Sequence, residues 1–390
     1  MSSDILRLDL GSLDDYFRSR QQEILSFTRT LVETESPSGD EAGSKAVVSL
    51  LAEQARKIDP IKTIERIASG EFGQHLRLKA FHDDDGDARS IVMLGHTDTV
   101  HPRGSVADRP WRVEGNRAYG PGVFDMKANC ALALEAIRAC GVLGIVPRRP
   151  VVVLLTCDEE RGSARGRGLV EAEAEDSHAV LVLEPPASGG RVKTGRKGTA
   201  IFNLETRGKA AHAGLEPEKG VSAVLEIARQ IQRLDELNNC GDGVSVNVGV
   251  VRGGTVSNVV PANAVAEVDV RFWNNEEARR IEEVFRSLQP FDARVQLIVT
   301  GEINRPPLER TGQVVAMYEQ ARGIAATLGY ELGEAQVGGA SDGNFAAAVG
   351  ASVLDGLGID GDGAHAVHEH IIIDDIPRRG ALLAALIATL

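Results

Sequence analysis

Residues 90–100 read SIVMLGHTDTV, a short apolar run that ends at a glycine and is followed directly by a histidine and an aspartate. Such a run predicts a strand that is buried on both faces. Residues 150–156 (PVVVLLT) and 179–183 (AVLVL) repeat the pattern, and helical stretches lie between the runs. Buried strands that alternate with helices predict an α/β sheet.

Helical periodicity flanks these strands at both ends of the chain. Residues 13–33 and 40–58 carry apolar residues at helical spacing and are separated by Ser-Pro-Ser-Gly. Residues 313–328 and 377–390 also predict amphipathic helices. We therefore expect both ends of the chain to contribute to the same α/β domain.

The middle of the chain has a different pattern. Several of its apolar runs alternate with polar residues, which predicts a sheet with one solvated face. The predicted strands are residues 201–206, 244–250, 264–272 and 294–299, and the predicted helices are residues 221–237 and 276–288. We expect an inserted α+β domain at residues 195–304, and a first domain formed by residues 1–194 and 305–390.

The bulk composition limits the classes of function. A chain of 390 residues is longer than one hydrophobic core usually accommodates, which agrees with two domains. The net charge of −13 argues against nucleic acid or an anionic membrane surface as a partner, and no stretch approaches the roughly 18 apolar residues of a membrane-spanning helix. Residues 1–15 lack the features of an export signal, so we expect a cytoplasmic protein. The four scattered cysteines predict reduced structural thiols.

Candidate functional residues begin directly after the first predicted strand, where His96 and Asp98 lie. Open α/β sheets bind ligands at this end of their strands. A neutral imidazole is a good zinc ligand, and a carboxylate two residues later can orient the ring. The alternative interpretation is that both are ordinary turn residues.

Acidic residues follow the other two predicted strands. Asp158, Glu159 and Glu160 come after the second strand, and three adjacent acids at a buried strand end repel one another unless cations or protons neutralise them. With a metal bound, one carboxylate can ligate while its neighbour acts as a general base. A solvated loop is the alternative. Glu184 ends the third strand, directly before two prolines, and adds another acid to the same edge.

Two other segments supply further candidate ligands. Asp125 follows the glycine-rich residues 119–122 (YGPG), and it could bridge two metals or only cap the next helix. Residues 363–370 (GAHAVHEH) offer three histidines, or form a histidine-rich surface loop. Five nitrogen and oxygen ligands without a thiolate fit paired zinc or related divalent ions. Two such ions, about 3.5–4 Å apart, can share a hydroxide and polarise a carbonyl.

The motifs closely resemble those of the dizinc family that includes glutamate carboxypeptidase, aminoacylase, acetylornithine deacetylase and succinyl-diaminopimelate desuccinylase. The resemblance spans nearly the whole chain and rests on residues 95–100, 120–127, 158–163, 184–185, 208–214 and 365–369. It implies a zinc-exopeptidase-like catalytic domain, with a central mixed sheet and helices on both faces, and an inserted α+β dimerisation or lid domain. It also implies two zinc ions per subunit, with cobalt or manganese as possible substitutes.

The resemblance gives each residue at the metal site a role. The residues that would hold the two metals are His96, Asp125, Glu160, Glu184 and His365. Asp125 would bridge the metals, Asp98 would orient His96, and Glu159 would be the general base for a metal-bridging hydroxide. Among the three C-terminal histidines, the family spacing of a histidine four residues before a glutamate favours His365.

The resemblance also extends to the inserted domain. Residues 209–214 (KAAHAG) resemble the motif whose histidine, here His212, reaches the partner subunit's active site and helps to hold the oxyanion, which implies a homodimer. Asn258 and Arg271 resemble residues that hold a substrate carboxylate, and Gly339 and Ser341 lie in a further substrate-binding segment. From the residues alone, His212 could be a core or turn histidine, and Arg271 could form a strand-surface ion pair.

Within the family, four segments look most like the glutamate carboxypeptidase branch: residues 184–185, 196–198, 211–214 and 339–344. We expect it to hydrolyse an amide or peptide bond next to a C-terminal amino acid, with a small peptide or an N-acyl amino acid as substrate. An N-acyl amino acid deacylase and a non-catalytic binding protein on the same fold are the alternatives. The leaving amino acid, the native metal and any role of His368 or His370 stay open.

Overall fold

The computed structural model describes residues 8–82, 89–239 and 243–390. The chain forms two compact units: unit 1 comprises residues 1–195, 310–337 and 341–390, and unit 2 comprises residues 196–309 and 338–340. Unit 2 is thus inserted in the sequence of unit 1. It ends at Glu309, five residues after the boundary that the sequence predicts, and it includes a short later segment that the sequence did not assign to it.

The helices and strands of the described residues follow the predicted pattern closely. The helices are α1 Leu10–Glu33, α2 Glu41–Ala55, α3 Ser105–Asp108, α4 Ala128–Val142, α5 Arg167–Glu175, α6 Ala223–Asp235, α7 Asn275–Arg286, α8 Gly312–Thr327, α9 Gly343–Ala348 and α10 Asp375–Thr389. The strands are β1 Ile61–Ala68, β2 Gln74–Ala80, β3 Ser90–His96, β4 Arg112–Glu114, β5 Arg117–Tyr119, β6 Val151–Thr156, β7 Ser177–Val182, β8 Val192–Arg196, β9 Gly198–Arg207, β10 Ser245–Gly253, β11 Asn263–Phe272, β12 Gln296–Arg305, β13 Glu334–Val337, β14 Val353–Leu354, β15 Gly361–Asp362 and β16 His370–Ile372.

The central sheet of unit 1 is mixed. Its strand order is β1-β2-β6-β3-β7-β14. Strands β6, β3, β7 and β14 are parallel, while β1 and β2 form an antiparallel hairpin at one edge. The three strands that the apolar runs predict lie in the middle of this sheet, where their side chains are almost all buried. The predicted mixed α/β sheet is confirmed, whereas the edge hairpin was not predicted.

Helices pack against this sheet in separate groups. Helices α1, α4 and α10 contact one another, and α5 and α9 form a second pair that contacts β7. Close packing of the first group depends on Gly380, because a Cβ there would lie 2.2 Å from the buried ring of Phe17. None of the described helices is long and apolar enough to cross a membrane.

The cysteines agree with the expectation of structural thiols. Cys130, Cys140 and Cys157 are buried and unbridged, and burial raises the pKa of each thiol to about 12. A thiol that stays protonated is a poor nucleophile and a poor metal ligand. Cys240 lies outside the described residues.

A small sheet in unit 1 brings two distant segments together. Its strand order is β15-β16-β5-β4, and β16 pairs with β5 in antiparallel register. This pairing aligns His370 with Tyr119. The histidine-containing segment before β16 therefore lies beside the glycine-rich segment after β5.

Unit 2 is a four-stranded antiparallel sheet covered by two helices. The strand order is β10-β11-β9-β12, and buried and solvated residues alternate along β9 and β11. Apolar faces of α6 and α7 cover the buried side, where the rings of Phe202 and Phe285 stack at 3.9 Å. The last strand runs to Arg305 rather than to the predicted residue 299, because β9 continues to offer pairing partners as far as Thr199.

Candidate metal centre and active site

Three parallel strands of unit 1 deliver polar residues to one edge. His96 is the last residue of β3, the turn Glu159–Arg161 follows β6, and Glu184 follows β7. Because β3 pairs in parallel with both β6 and β7, their carboxyl ends lie together. This is the edge at which open α/β sheets place their ligands.

Asp125 is held at the same edge by a buried glutamate. The carboxylate of Glu369 accepts hydrogen bonds from the backbone N–H groups of Gly122 (2.8 Å), Phe124 (2.9 Å) and Asp125 (2.9 Å). The peptide bond between Asp125 and Met126 is cis. Helix α4 begins only at Ala128, so the alternative that Asp125 merely caps the helix is wrong.

Asp125 lies between two imidazole rings. Its Oδ1 is 3.1 Å from Nε2 of His96, and its Oδ2 is 3.4 Å from Nε2 of His365. Each histidine also approaches a second carboxylate: His96 Nε2 lies 3.3 Å from Glu184 Oε1, and His365 Nε2 lies 3.1 Å from Glu160 Oε2. The five residues therefore form two groups, each of one histidine and one acid, which share Asp125.

Glu159 faces the same cluster. Ligand atoms of His96, Glu159 and Glu184 lie within 4.8 Å of one another, as do those of His96, Asp125 and Glu160. The neighbouring acid, Asp158, does not join them. It is fully buried, and its Oδ2 accepts hydrogen bonds from the backbone N–H groups of residues 165 and 166.

Asp98 connects the histidine ring to the acidic turn. Its Oδ1 lies 3.5 Å from Nδ1 of His96, and its backbone oxygen lies 3.0 Å from the same nitrogen. A carbonyl oxygen can only accept, so in the neutral ring Nδ1 carries the proton and Nε2 is the ligand atom. The two oxygens of the Asp98 carboxylate also accept the backbone N–H groups of Glu159 and Glu160, each at 3.2 Å.

The acidic residues of the cluster raise the pKa values of the two histidines. Burial disfavours the charged imidazole of His96, but hydrogen bonds to Asp125, Asp98 and Glu184 outweigh burial and raise its pKa well above the usual value. Hydrogen bonds to Asp125 and Glu160 raise the pKa of His365 to about 10. The surrounding acids therefore favour positive charge at both rings, as they would in a site that binds cations.

The donor set fits divalent metal ions. Burial raises the pKa of Glu160, and its Oε1 is buried without a hydrogen-bond partner among the described residues. An unpartnered buried carboxylate oxygen is costly unless an ion contacts it. Imidazole nitrogens and carboxylate oxygens without a thiolate suit zinc, cobalt or manganese.

Only one of the three C-terminal histidines reaches the cluster. His365 lies within the turn that is closed by the hydrogen bond from Ala366 N–H to the Gly363 oxygen, has a left-handed backbone conformation (φ 64°), and its side chain is 53% exposed. His368 is exposed, and its Nε2 lies 3.8 Å from Oδ2 of Asp362. His370 is buried, and its Nδ1 contacts the backbone oxygen of His368 at 2.9 Å. Chemistry alone left this choice open, and the geometry favours His365.

Two of the predicted residues of unit 2, His212 and Asn258, lie on adjacent segments. Residues 211–213 and 258–260 are hydrogen-bonded to each other, so His212 and Asn258 are close in the fold. His212 is exposed, and its Nδ1 accepts hydrogen bonds from the backbone N–H groups of Gly214 (3.1 Å) and Leu215 (3.2 Å). In the neutral ring, Nε2 therefore carries the proton and is a donor.

The other three candidate substrate residues have internal partners. Arg271 forms a two-pronged ion pair with Asp269, at 2.7 and 2.9 Å, which favours the alternative of a strand-surface ion pair. The backbone oxygen of Gly339 accepts a hydrogen bond from Arg196 at 3.1 Å. Ser341 belongs to unit 1, is buried, and donates to Asp355 at 2.8 Å. This last contact connects Ser341 to the segment that follows β14.

A model described as Peptidase family M20/M25/M40 matches residues 92–389. The chain belongs to this family. The family resemblance inferred from the motifs is thereby confirmed, and so is the prediction of an enzyme of the metallopeptidase and amidohydrolase type.

Two relatives illustrate the range of M20 chemistry. Carboxypeptidase G2 from Pseudomonas sp. (strain RS-16) is 31% identical over 384 residues, which cover 95% of this chain and 90% of that protein. A succinyl-diaminopimelate desuccinylase from Acidovorax ebreus (strain TPSY) is 30% identical over 383 residues, which cover 90% of this chain and 94% of that protein. The family thus includes both peptidases and deacylases at similar distance from this chain.

A solved structure supports the same fold. Aminopeptidase PepT from Bacillus cereus superposes with a TM-score of 0.75 at 22% identity, covering 94% of this chain and 98% of that chain. At this level of identity the likeness concerns the fold alone. The M20 fold, with its central mixed sheet and inserted domain, is confirmed.

The residues that support the centre were not predicted from the sequence. His101 is buried, and its Nε2 lies 2.6 Å from Oε2 of Glu369, which in turn holds the backbone before Asp125. Ser38 donates to Asp98 from a loop sixty residues earlier. The position of His101 three residues after Asp98 was the available signal, whereas nothing in the sequence around Ser38 points to this contact.

Proposed function

We propose that this M20 enzyme hydrolyses an amide or peptide bond next to a C-terminal amino acid, with a glutamate-type carboxypeptidase activity as the first candidate. The observation that carries the proposal is the position of Asp125, whose two oxygens lie 3.1 and 3.4 Å from the histidines of two ligand groups. Glu159 faces this shared site and is next in sequence to Glu160. A carboxylate beside a ligating carboxylate is suited to move a proton during hydrolysis.

We infer that two zinc ions, or cobalt or manganese in their place, bind the two groups. The residues that would hold them are His96, Asp125, Glu160, Glu184 and His365. When bound, such ions lower the pKa of a water molecule and polarise a carbonyl. The chain's own part is to fix the geometry, which Asp98 and Glu369 do through their hydrogen bonds to the backbone.

In the proposed reaction, Glu159 takes a proton from the attacking water. The same carboxyl group then gives that proton to the leaving amine, which restores the carboxylate for the next cycle. The ring of His212, with its proton on Nε2, could donate to the oxyanion that develops on the substrate carbonyl. We propose that it does so across a homodimer, as the family motif implies.

Substrate binding is proposed for residues of the inserted domain. Asn258 is exposed beside the His212 segment, so its amide is a candidate contact for the substrate carboxylate. Arg271 could bind the substrate carboxylate only if its ion pair with Asp269 breaks or if its guanidinium contacts both carboxylates. The substrate is proposed to be a small peptide or an N-acyl amino acid, handled in the cytoplasm.

N-acyl amino acid deacylation is the second candidate activity. The desuccinylase that is 30% identical to this chain removes an acyl group according to its name, and the carboxypeptidase at 31% removes an amino acid according to its own. Both reactions break an amide bond, so the same centre could carry out either. The two activities differ in whether the enzyme recognises the acyl group or the released amino acid.

A substrate panel with a base variant tests the proposal. We would assay N-acyl glutamates, dipeptides that end in glutamate, acetylated amino acids and bulky N-acyl aromatic amino acids, with zinc or cobalt added. Glu159→Ala should keep its metal content and lose at least roughly 100-fold in kcat, because it lacks the proton carrier. Near-normal turnover by this variant would refute the role of Glu159, and a preference for non-acidic C-terminal residues would refute the glutamate assignment.

A further inference from the structure

A cavity in unit 1 adjoins the metal centre. Its volume is about 410 Å³, and its lining includes Pro37, Ser38, Thr99, Arg103, Glu160 and Arg161. Glu160 belongs both to this lining and to the group around His365. If the carbonyl of a substrate lies at the metal centre, the group next to that carbonyl can therefore extend into this cavity.

The two arginines of the lining differ in how they are paired. Arg103 is bound to Asp40, through Nε at 2.6 Å and through a second contact from Nη2. Asp40 also accepts the backbone N–H of Gly43 at the start of α2, so this pair is part of the helix terminus. The positive charge of Arg103 is thus already balanced by an acid that is fixed in place.

Arg161 has no acidic partner for its guanidinium among the described residues, and the side chain is exposed. Its backbone, by contrast, is fixed: the Arg161 N–H donates to the Asp158 oxygen at 3.2 Å, within the turn that also carries Glu159 and Glu160. The turn that supplies the candidate base therefore also places in the lining of the neighbouring cavity a guanidinium that has no acidic partner within residues 8–82, 89–239 and 243–390.

We propose that Arg161 determines specificity by pairing with a carboxylate of the substrate in this cavity. The inference rests on the amide hydrolysis proposed for the adjacent centre. The planar guanidinium can bind a carboxylate through two parallel hydrogen bonds, which a neutral amide or an alkyl group cannot replace. The carboxylate could belong to the acyl group or to the side chain of the amino acid that is released.

Two matched substrate pairs distinguish these sources. The first pair is N-succinyl-alanine and N-succinamoyl-alanine, which differ in the charge of the acyl group. The second pair is N-acetyl-glutamate and N-acetyl-glutamine, which differ in the charge of the released amino acid. The wild-type enzyme should prefer the charged member in at least one pair. Arg161→Gln should lower that preference about tenfold in kcat/KM, as expected for the loss of one charge-assisted pair, with the neutral member unchanged within about twofold.

Two further variants control for structural effects. Arg161→Lys keeps the charge and should restore part of the preference, and the preference should weaken as salt is added. Arg165→Gln is the matched control, because Arg165 lies on the same loop, is exposed, and is not part of the cavity lining. It should behave as wild type. An unchanged preference in Arg161→Gln, or the absence of any preference in wild type, would overturn the role of Arg161.

A binding measurement separates this inference from the proposed function. Titration calorimetry of the zinc-loaded protein with glutarate and with butyrate measures the contribution of the second carboxylate without turnover. Arg161→Gln should lose about tenfold in the ratio of the two dissociation constants. If wild type hydrolyses none of the four amides but shows this loss, the anion site stands and the proposed function fails. If it hydrolyses them and the ratio is the same in both proteins, only the anion site fails.

Discussion

Replacing Glu369 by glutamine tests whether this buried carboxylate builds the metal centre. Its two oxygens receive three backbone N–H groups, from Gly122, Phe124 and Asp125, and lie against the ring nitrogen of His101. Glutamine has the same shape but keeps only one acceptor oxygen. Its amide nitrogen would then face donors, so at least one backbone N–H on the segment that carries Asp125 would lose its partner.

The size of the effect follows from burial and charge. Glu369 is 2% exposed, so water cannot compensate for the lost contacts. Hydrogen bonds to a charged group contribute roughly 1.5–3 kcal/mol each, and an unsatisfied buried donor adds its desolvation cost. Loss of one or two of the four contacts should lower the free energy of unfolding of unit 1 by about 3–5 kcal/mol. Because the variant also loosens a ligand, zinc affinity should fall roughly 10–100-fold.

Two measurements check this prediction. Urea unfolding followed by circular dichroism gives the stability, and titration with zinc against a chelating dye gives the affinity. Glu53→Gln is the matched control, since Glu53 is an exposed residue of α2 and should leave both quantities unchanged. If Glu369→Gln binds two zinc ions with wild-type affinity, the carboxylate does not position Asp125 and the argument from its hydrogen bonds is wrong.

The remaining predictions concern the two units separately. Removal of metal with a chelator should lower the melting temperature of unit 1, because a ligand at 1,000 times its Kd stabilises by about 4 kcal/mol, and Asp125→Asn should reduce this response in a thermal melt. Phe285→Ala removes a ring stacked at 3.9 Å on Phe202 and should destabilise unit 2 by about 3–5 kcal/mol, without changing the zinc content of the folded protein. Urea unfolding and metal analysis distinguish these outcomes, and a Phe285→Ala protein as stable as wild type would contradict the packing argument.

Periodic patterns in the sequence were enough to predict most of the fold. The three central strands were predictable because each is buried on both faces, and so were the flanking helices and the alternating strands of unit 2. The hairpin of β1 and β2 was not, because β1 is only half buried and carries charged residues that obscure the alternation. Pairing with a distant strand, rather than local pattern, determines such an edge.

Part of the candidate metal centre could also be predicted from the sequence, because some of its residues follow predicted strands. His96, Glu160 and Glu184 stand at strand ends, so the parallel sheet brings them together. The choice of His365 and the shared position of Asp125 depend on the small sheet and on Glu369, whose contacts span about 245 residues of sequence. The ion pair of Arg271 joins it to Asp269, two residues earlier on β11, and residues at this spacing share one face of a strand, so the alternative of a strand-surface pair was accessible from the sequence.

The position of Asp98 has a consequence for how this sequence can change. One carboxylate lies beside a histidine of the first segment and anchors a turn that follows about 60 residues later. A replacement in either segment therefore alters the environment of the other. We expect relatives to change the two segments in concert, and their substrate preferences to diversify first at positions such as Arg161, where the side chain can vary while the backbone remains fixed.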